Sequence, residues 1–144
     1  MDLPAFRSAT AADVPFLLEL RRQTMSAHQL ASGVIPSEEE RERRVLYSFE
    51  NARIVLLGGQ PAGLLKVRRE GLKWELVQIQ LLPSLHGKGL GTALLGALVA
   101  ETRTAGASLR LSVHKANPAR RLYERLGFVI VEERANFYDM ELGA

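Results

Sequence analysis

The sequence contains no cysteine and only three histidines among its 144 residues. Without thiols there is no disulfide framework, no thiolate metal site and no cysteine nucleophile, and no metal is expected. No apolar run approaches the ~18 residues of a membrane span, and Met1-Asp2-Leu3-Pro4 lacks the basic and apolar blocks of a secretory signal. The expectation is a cytoplasmic chain with no membrane partner. Charge of one sign is also lacking: 19 Lys and Arg stand against 16 Asp and Glu. The basic residues are scattered and are not interleaved with aromatics on a strand pair, so nucleic acid is not an expected partner. What is present is apolar: hydrophobic residues make up 47% of the chain, enough for one ordinary core, and residues 1–144 are read as a single domain.

The periodicity changes along the chain. Phe6-Arg7 opens a short strand, and Thr10 with Asp13 three residues on starts an amphipathic helix carrying Val14, Leu17, Leu18 and Met25. Ser26 to Pro36, polar and containing a glycine, reads as a loop. Ser37-Glu38-Glu39-Glu40 is a capping box for a second helix, with Arg41, Arg43 and Arg44 toward its C-terminal end as the dipole prefers. Alternation then sets in over Arg53–Leu57, Ala62–Arg69 and Trp74–Leu81, broken by turns at Gly58-Gly59-Gln60-Pro61 and Glu70-Gly71, which predicts an antiparallel meander.

Leu90–Thr104 is an Ala/Leu-rich helix closed by Gly106, and Leu109–His114 a strand with Leu109, Leu111 and Val113 on one face. Asn117 and Pro118 open a helix running to Leu126 and ended by Gly127. Phe128–Glu133 and Phe137–Leu142 are the last strands. The order β-α-α-β-β-β-α-β-α-β-β is that of an α/β (α+β) domain. Its central sheet is mixed and mostly antiparallel, with one parallel βαβ crossover, and is flanked by helices.

The junction inside that crossover, His86-Gly87-Lys88-Gly89-Leu90-Gly91-Thr92, places three glycines at alternate positions between a strand and a helix. Glycines let backbone approach a phosphate, and the first turn of a helix offers free N–H donors at the positive end of its dipole. This is an anion site suited to a pyrophosphate; the bland alternative is a tight turn without a ligand. A Walker A loop does not fit, because Lys88 is followed by Gly89. A dinucleotide fingerprint needs a third glycine where Thr92 stands and an acid at the end of the next strand, which ends in His114-Lys115.

His86-Gly87-Lys88-Gly89-Leu90-Gly91 resembles the acyl-CoA-binding motif [Q/R]-x-x-G-x-[G/A] of the GNAT superfamily of N-acetyltransferases. Asn117-Pro118-Ala119-Arg120-Arg121-Leu122-Tyr123-Glu124-Arg125-Leu126-Gly127-Phe128 is similar to that superfamily's downstream signature, N-P-A-x-x-L-Y-x-x-x-G-F. Two motifs in the right order, and an element order that matches end to end, extend the resemblance over nearly the whole chain. One position departs: His86 stands where the motif has Gln or Arg.

The resemblance implies transfer of an acetyl group from acetyl-CoA to a primary amine, on a small molecule or a protein, by direct transfer in a ternary complex. Residues 86–92 (His86, Gly87, Lys88, Gly89, Leu90, Gly91 and Thr92) would hold the cofactor's pyrophosphate, and the strand around Ile79, Gln80 and Leu81 would pair with the pantetheine arm. The Leu81 N–H is a candidate for polarising the thioester carbonyl. Asn117 would cap its helix and contact the cofactor. Tyr123 is the candidate general acid, because a phenol near ~10 is protonated at neutral pH. Glu75, on one strand face with Val77, Ile79 and Leu81, is the candidate general base, with His28 and His114 as weaker alternatives. Gln78 stands where many small bacterial relatives carry a carboxylate.

Core packing is the alternative reading for Ile79, Leu81 and Tyr123, and a solvated glutamate the alternative for Glu75. A non-catalytic acyl-CoA-binding module on the same fold is the competing function, and the resemblance also allows a homodimer. The acceptor pocket would be shaped by Met25–Pro36, the second helix and the Arg134–Tyr138 turn, none of which spells a substrate.

Overall fold

A computed structural model describes residues 4–31 and 36–143, with the backbone alone over 25–31. The elements are β1 (Ala5–Ser8), α1 (Val14–Ala31), α2 (Glu38–Leu46), β2 (Ala52–Leu57), β3 (Gln60–Glu70), β4 (Lys73–Leu81), α3 (Leu90–Ala105), β5 (Ser108–His114), α4 (Arg120–Arg125), β6 (Val129–Glu133) and β7 (Phe137–Leu142). The seven strands are ordered β1-β2-β3-β4-β5-β7-β6. The pair β4·β5 is parallel, running from Lys73↔Ser108 to Leu76↔Leu111, while β1·β2, β2·β3, β5·β7 and β6·β7 are antiparallel. This is the mixed, mostly antiparallel sheet expected. No helix among the described residues is long and apolar enough to cross a membrane.

The chain divides into two compact units, Met1–Lys66 with Gln78–Lys88 and Val67–Val77 with Gly89–Ala144. In the first, Leu17 and Leu20 of α1, Val45 of α2, Ala52 and Ile54 of β2 and Leu64 of β3 form one apolar cluster. Spacing of three along α1 and two along each strand puts these residues on single faces. Both helix starts are capped. Asp13 accepts from the Thr10 N–H at 2.8 Å just ahead of α1, and the Ser37 hydroxyl accepts from the Glu40 N–H at 3.2 Å ahead of α2.

In the second unit, α3 buries Leu90, Leu94, Leu95, Leu98 and Val99, a helical stripe. The buried side chains of β5 are Leu109, Leu111 and Val113, the face that alternation predicts.

Three boundaries differ from the sequence reading by more than one residue. The expected loop from Ser26 is helical through Ala31, because Ala27, Gln29, Leu30 and Ala31 favour helix and no Gly or Pro intervenes before Gly33. Residues 32–35 and the His28 side chain lie outside the described residues. The turn after β2 is only Gly58-Gly59, both left-handed (φ 58° and 79°), a two-residue hairpin that lets Gln60 and Pro61 join β3. The last helix begins at Arg120, not Pro118. Asn117 Oδ1 accepts from the Ala119 N–H at 2.9 Å, and the carbonyls of Asn117 and Pro118 accept from Arg120 and Arg121 at 3.5 and 3.3 Å, so the entry is a tight turn before the helix.

Candidate functional site

The end of β4 is gripped on two sides. From β3, Gly63 comes so close that a Cβ there would lie 2.3 Å from the Gln80 carbonyl oxygen and 2.9 Å from Leu81 Cδ2. Only glycine permits that approach. Beyond the strand, the Leu82 N–H donates to the Ala62 carbonyl at 2.9 Å, and a single 3-10 turn over Pro83–Leu85 follows. His86 then reaches back: its Nε2 lies 2.9 Å from the Leu81 carbonyl oxygen. A carbonyl can only accept, so Nε2 carries the proton. The residue replacing Gln or Arg in the motif therefore ties the loop to the strand that precedes it.

Gly87 and Gly89 both adopt the left-handed conformation, with φ of 76° and 79°. A Cβ at either position would meet nothing within 4 Å, so space is not the constraint there; backbone conformation is. Gly89 is the N-cap of α3, and its carbonyl accepts from the Ala93 N–H at 3.0 Å, the first turn of the helix. The N–H groups ahead of Ala93 have no acceptor within the helix and lie at its positive end. Lys88 is exposed between the two glycines. A left-handed glycine pair, a lysine and a sixteen-residue helix opening at once is a donor set that fits a pyrophosphate.

Among the other candidates, Ile79 is half-buried, and Gln80 is buried with its Nε2 lacking a hydrogen-bond partner among the described residues. Glu75 is half-buried on β4 and accepts from Arg68 Nη1 at 2.8 Å. Tyr123, on α4, is 6% exposed and meets Phe128 edge-on at 5.8 Å between ring centres. Burial pushes its phenol up to about 12. No hydrogen bond engages its hydroxyl among the described residues. His114 accepts at Nδ1 from the Ala116 N–H at 3.0 Å and packs against Phe137. Asn117 holds the turn into α4 as described above. No three His, Asp or Glu side chains among the described residues are grouped to hold a metal ion.

Sequence reasoning missed Gly63, whose role is visible only once β3 and β4 are adjacent. It also missed two buried cations. Lys66 is 2% exposed and donates to the carbonyls of Val45 and Tyr47 at 3.1 and 2.6 Å, and Arg21 is 7% exposed.

Residues 22–141 match the family model described as an acetyltransferase (GNAT) domain. The chain belongs to the GNAT acetyltransferase family, in which acetyl-CoA is the acyl donor. It is 41% identical over 69 residues to the [ribosomal protein bS18]-alanine N-acetyltransferase of Haemophilus influenzae, a match spanning 47% of this chain and 47% of that protein. Its fold resembles that of the PaiA N-acetyltransferase from Thermoplasma acidophilum in complex with coenzyme A, at TM-score 0.75 and 19% identity over 99% of each chain. It also resembles the ribosomal-protein-S18-alanine N-acetyltransferase of Escherichia coli, at TM-score 0.71 and 22% identity over 97% of this chain and 93% of that one.

Proposed function

We propose that residues 1–144 act as one catalytic domain, transferring the acetyl group of acetyl-CoA directly to a primary amine in a ternary complex. The observation that carries this reading is the left-handed pair Gly87 and Gly89 opening α3 in the loop that follows β4. Bound acetyl-CoA supplies an activated thioester; the remaining tasks fall to the chain. The N–H groups over residues 87–92 hold the pyrophosphate, with Lys88 adding charge, and His86 keeps the loop in place through Leu81. The backbone of Ile79, Gln80 and Leu81 pairs with the pantetheine arm, and the Leu81 N–H donates to the oxygen on which negative charge develops. Asn117 contacts the cofactor while setting the turn into α4.

Tyr123 is the acid at the departing sulfur, to which its hydroxyl donates a hydrogen bond. A phenol near 12 gives its proton to a thiolate near ~8.5 only against roughly 5 kcal/mol, so its contribution is a hydrogen bond that strengthens as charge builds. Its hydroxyl, unengaged among the described residues, is available for that bond. Glu75 is the general base. Because Oε1 is engaged by Arg68, proton removal falls to Oε2 or to an intervening water.

The acceptor is a small-molecule or protein amine bound beside α1 and α2. A relative named for acetylating the alanine of a ribosomal protein supports a protein amine. The reading places the reaction in the cytoplasm, without nucleic-acid or membrane partners, and allows a homodimer.

The test is thermal unfolding with acetyl-CoA, CoA, ATP and NADPH in parallel. A ligand at ~100 times its Kd adds about 2.7 kcal/mol, which at this size raises the midpoint by roughly 10 °C. Shifts with the CoA compounds alone support the reading. No shift with CoA, or a larger one with ATP or NADPH, removes it.

A further inference from the structure

Two cations lie buried in the α1–α2 unit, and they are treated in opposite ways. The Lys66 ammonium is closed off completely: its donors point to the carbonyls of Tyr47, Val45 and Arg44 at 2.6, 3.1 and 3.5 Å, at the C-terminal end of α2. Arg21 sits on α1 one residue after Leu20 and four after Leu17, a position that helical spacing turns toward the apolar cluster. It is 7% exposed, and its Nε is buried with no partner. Among the described residues its guanidinium makes no hydrogen bond or ion pair.

Among the described residues no acid pairs with it. Arg44 and Lys66 act on it with like charge, and Glu40 is the acid that favours its charged form. Glu40 already faces Arg44 at 3.5 Å. Glu19 is engaged by Arg22 and Gln23, and Glu38 by Arg41. The carbonyls at the end of α2 go to Lys66. Residues 25–35, the stretch from the later part of α1 to the approach of α2, contain no Asp or Glu. Burial, with Arg44 nearby, pulls the guanidinium down to about 10, which leaves it charged at neutral pH. A permanently charged guanidinium is thus carried on a side chain only 7% exposed, with its Nε buried and no acceptor for it among the described residues, where a Met or Leu would pack at no electrostatic cost.

We propose that Arg21 receives a carboxylate of the amine acceptor, so that the acceptor is an amino acid or an acidic peptide and not a simple amine. A carboxylate matches the guanidinium fork through two parallel hydrogen bonds, and the positive charge of Arg44 adds to the pull. The inference rests on the proposed function, in which the α1–α2 region shapes the acceptor pocket.

The experiment is a titration of the CoA-loaded chain with matched pairs, read by calorimetry, followed by acetyl-transfer assays on the same compounds. One arm uses ω-amino acids of two to six carbons against their carboxamides. The other uses Ala-Glu-Ala-Ala-amide against Ala-Gln-Ala-Ala-amide, which distinguishes a free amino acid from an acidic side chain on a peptide. In at least one arm the acid is expected to bind on the order of tenfold tighter, with a similar gain in kcat/KM. The preference collapses in Arg21→Met and in Arg21→Gln, while the midpoint of Arg21→Met stays level or rises because an unpaired buried charge has been removed.

Equal binding of acids and amides, or a preference that survives both substitutions, overturns the proposal. If carboxylates bind in an Arg21-dependent way but nothing is acetylated, the anion site stands and the proposed function falls. If amines are acetylated without regard to charge, the reverse holds.

Discussion

The unit built on β5 and β7 and the unit built on α1 and α2 both bury polar groups, but they complete them differently. In the former, Asp139 is 6% exposed and accepts from Ser112 Oγ at 2.6 Å and Arg134 Nη2 at 2.8 Å, with Arg110 at 3.5 Å. Burial pushes its carboxyl up, but those donors and cations outweigh it and hold the group below the usual carboxylate range. Thr102, equally buried, donates to the Val99 carbonyl at 2.7 Å. Arg69 in that unit leaves its Nε without a partner, but its guanidinium is still held, with Nη2 donating to Glu101 at 3.0 Å. In the α1–α2 unit Lys66 is completed, yet Arg21 Nε and Gln80 Nε2 have no partner among the described residues, and no ion pair there holds Arg21. A polar group that the fold completes is structural. One that the fold buries and leaves open costs stability with no internal return, and that is where a ligand has something to supply.

The largest effect expected from this contrast is at Lys66. Lys66→Met leaves the α2 carbonyls without their donor and should cost about 3 kcal/mol, lowering the unfolding midpoint by roughly 10 °C. Arg21→Met, an equally drastic change at an equally buried cation, should leave the midpoint level or raise it. Similar losses at both positions would erase the distinction.

Next is Asp139→Ala, which strands Arg134 and the Ser112 hydroxyl. It should cost about 2 kcal/mol by chemical denaturation. Tyr123→Phe sharpens the same point from the other side. Its hydroxyl makes no hydrogen bond among the described residues, so the midpoint should hold while kcat falls by at least ~10-fold with acetyl-CoA affinity retained. An unchanged kcat removes Tyr123 as the acid.

How much of this was legible in the sequence depended on whether the determinant was local. The capping residues Thr10, Asp13 and Ser37, the Gly87–Gly89 loop and the alternation of β5 are set by neighbours a few positions away, and each stands where the pattern placed it. The α1 terminus was missed because polar residues after Met25 looked like a loop, although none of them breaks a helix. Gly63 could not be read at all. In sequence it is a glycine inside a strand, and only the adjacent β4 gives it meaning.

Lys66 and Arg21 were hidden for a related reason. Strand and helix periodicity mark which face a residue occupies, and a cation on an apolar face looks like noise until its partners, or their absence, are known. His86 was noticed as a departure from the motif, but the carbonyl it binds lies five residues back on another element.

The smallest expected effect lies at the entrance to α1, where a buried acid is completed almost entirely by local chemistry. Asp13 accepts from Arg7 Nη1 and Nη2, both at 2.8 Å, and from the Thr10 N–H. Above all the Arg7 hydrogen bonds, with smaller help from Thr10, outweigh burial and lower its carboxyl to about 2. An unfolded aspartate titrates near ~3.9, so the folded chain binds this proton less readily than the unfolded chain does. The stabilisation is therefore complete above about pH 4 and is lost as pH falls toward 2. Asp13→Asn keeps an acceptor for Thr10 but surrenders the charge facing Arg7. It should cost about 1 kcal/mol at neutral pH, and the cost should vanish by pH 2. Denaturation curves at pH 7, 4 and 2 decide the matter, since a deficit that persists at pH 2 would assign the effect to side-chain packing and not to the charge.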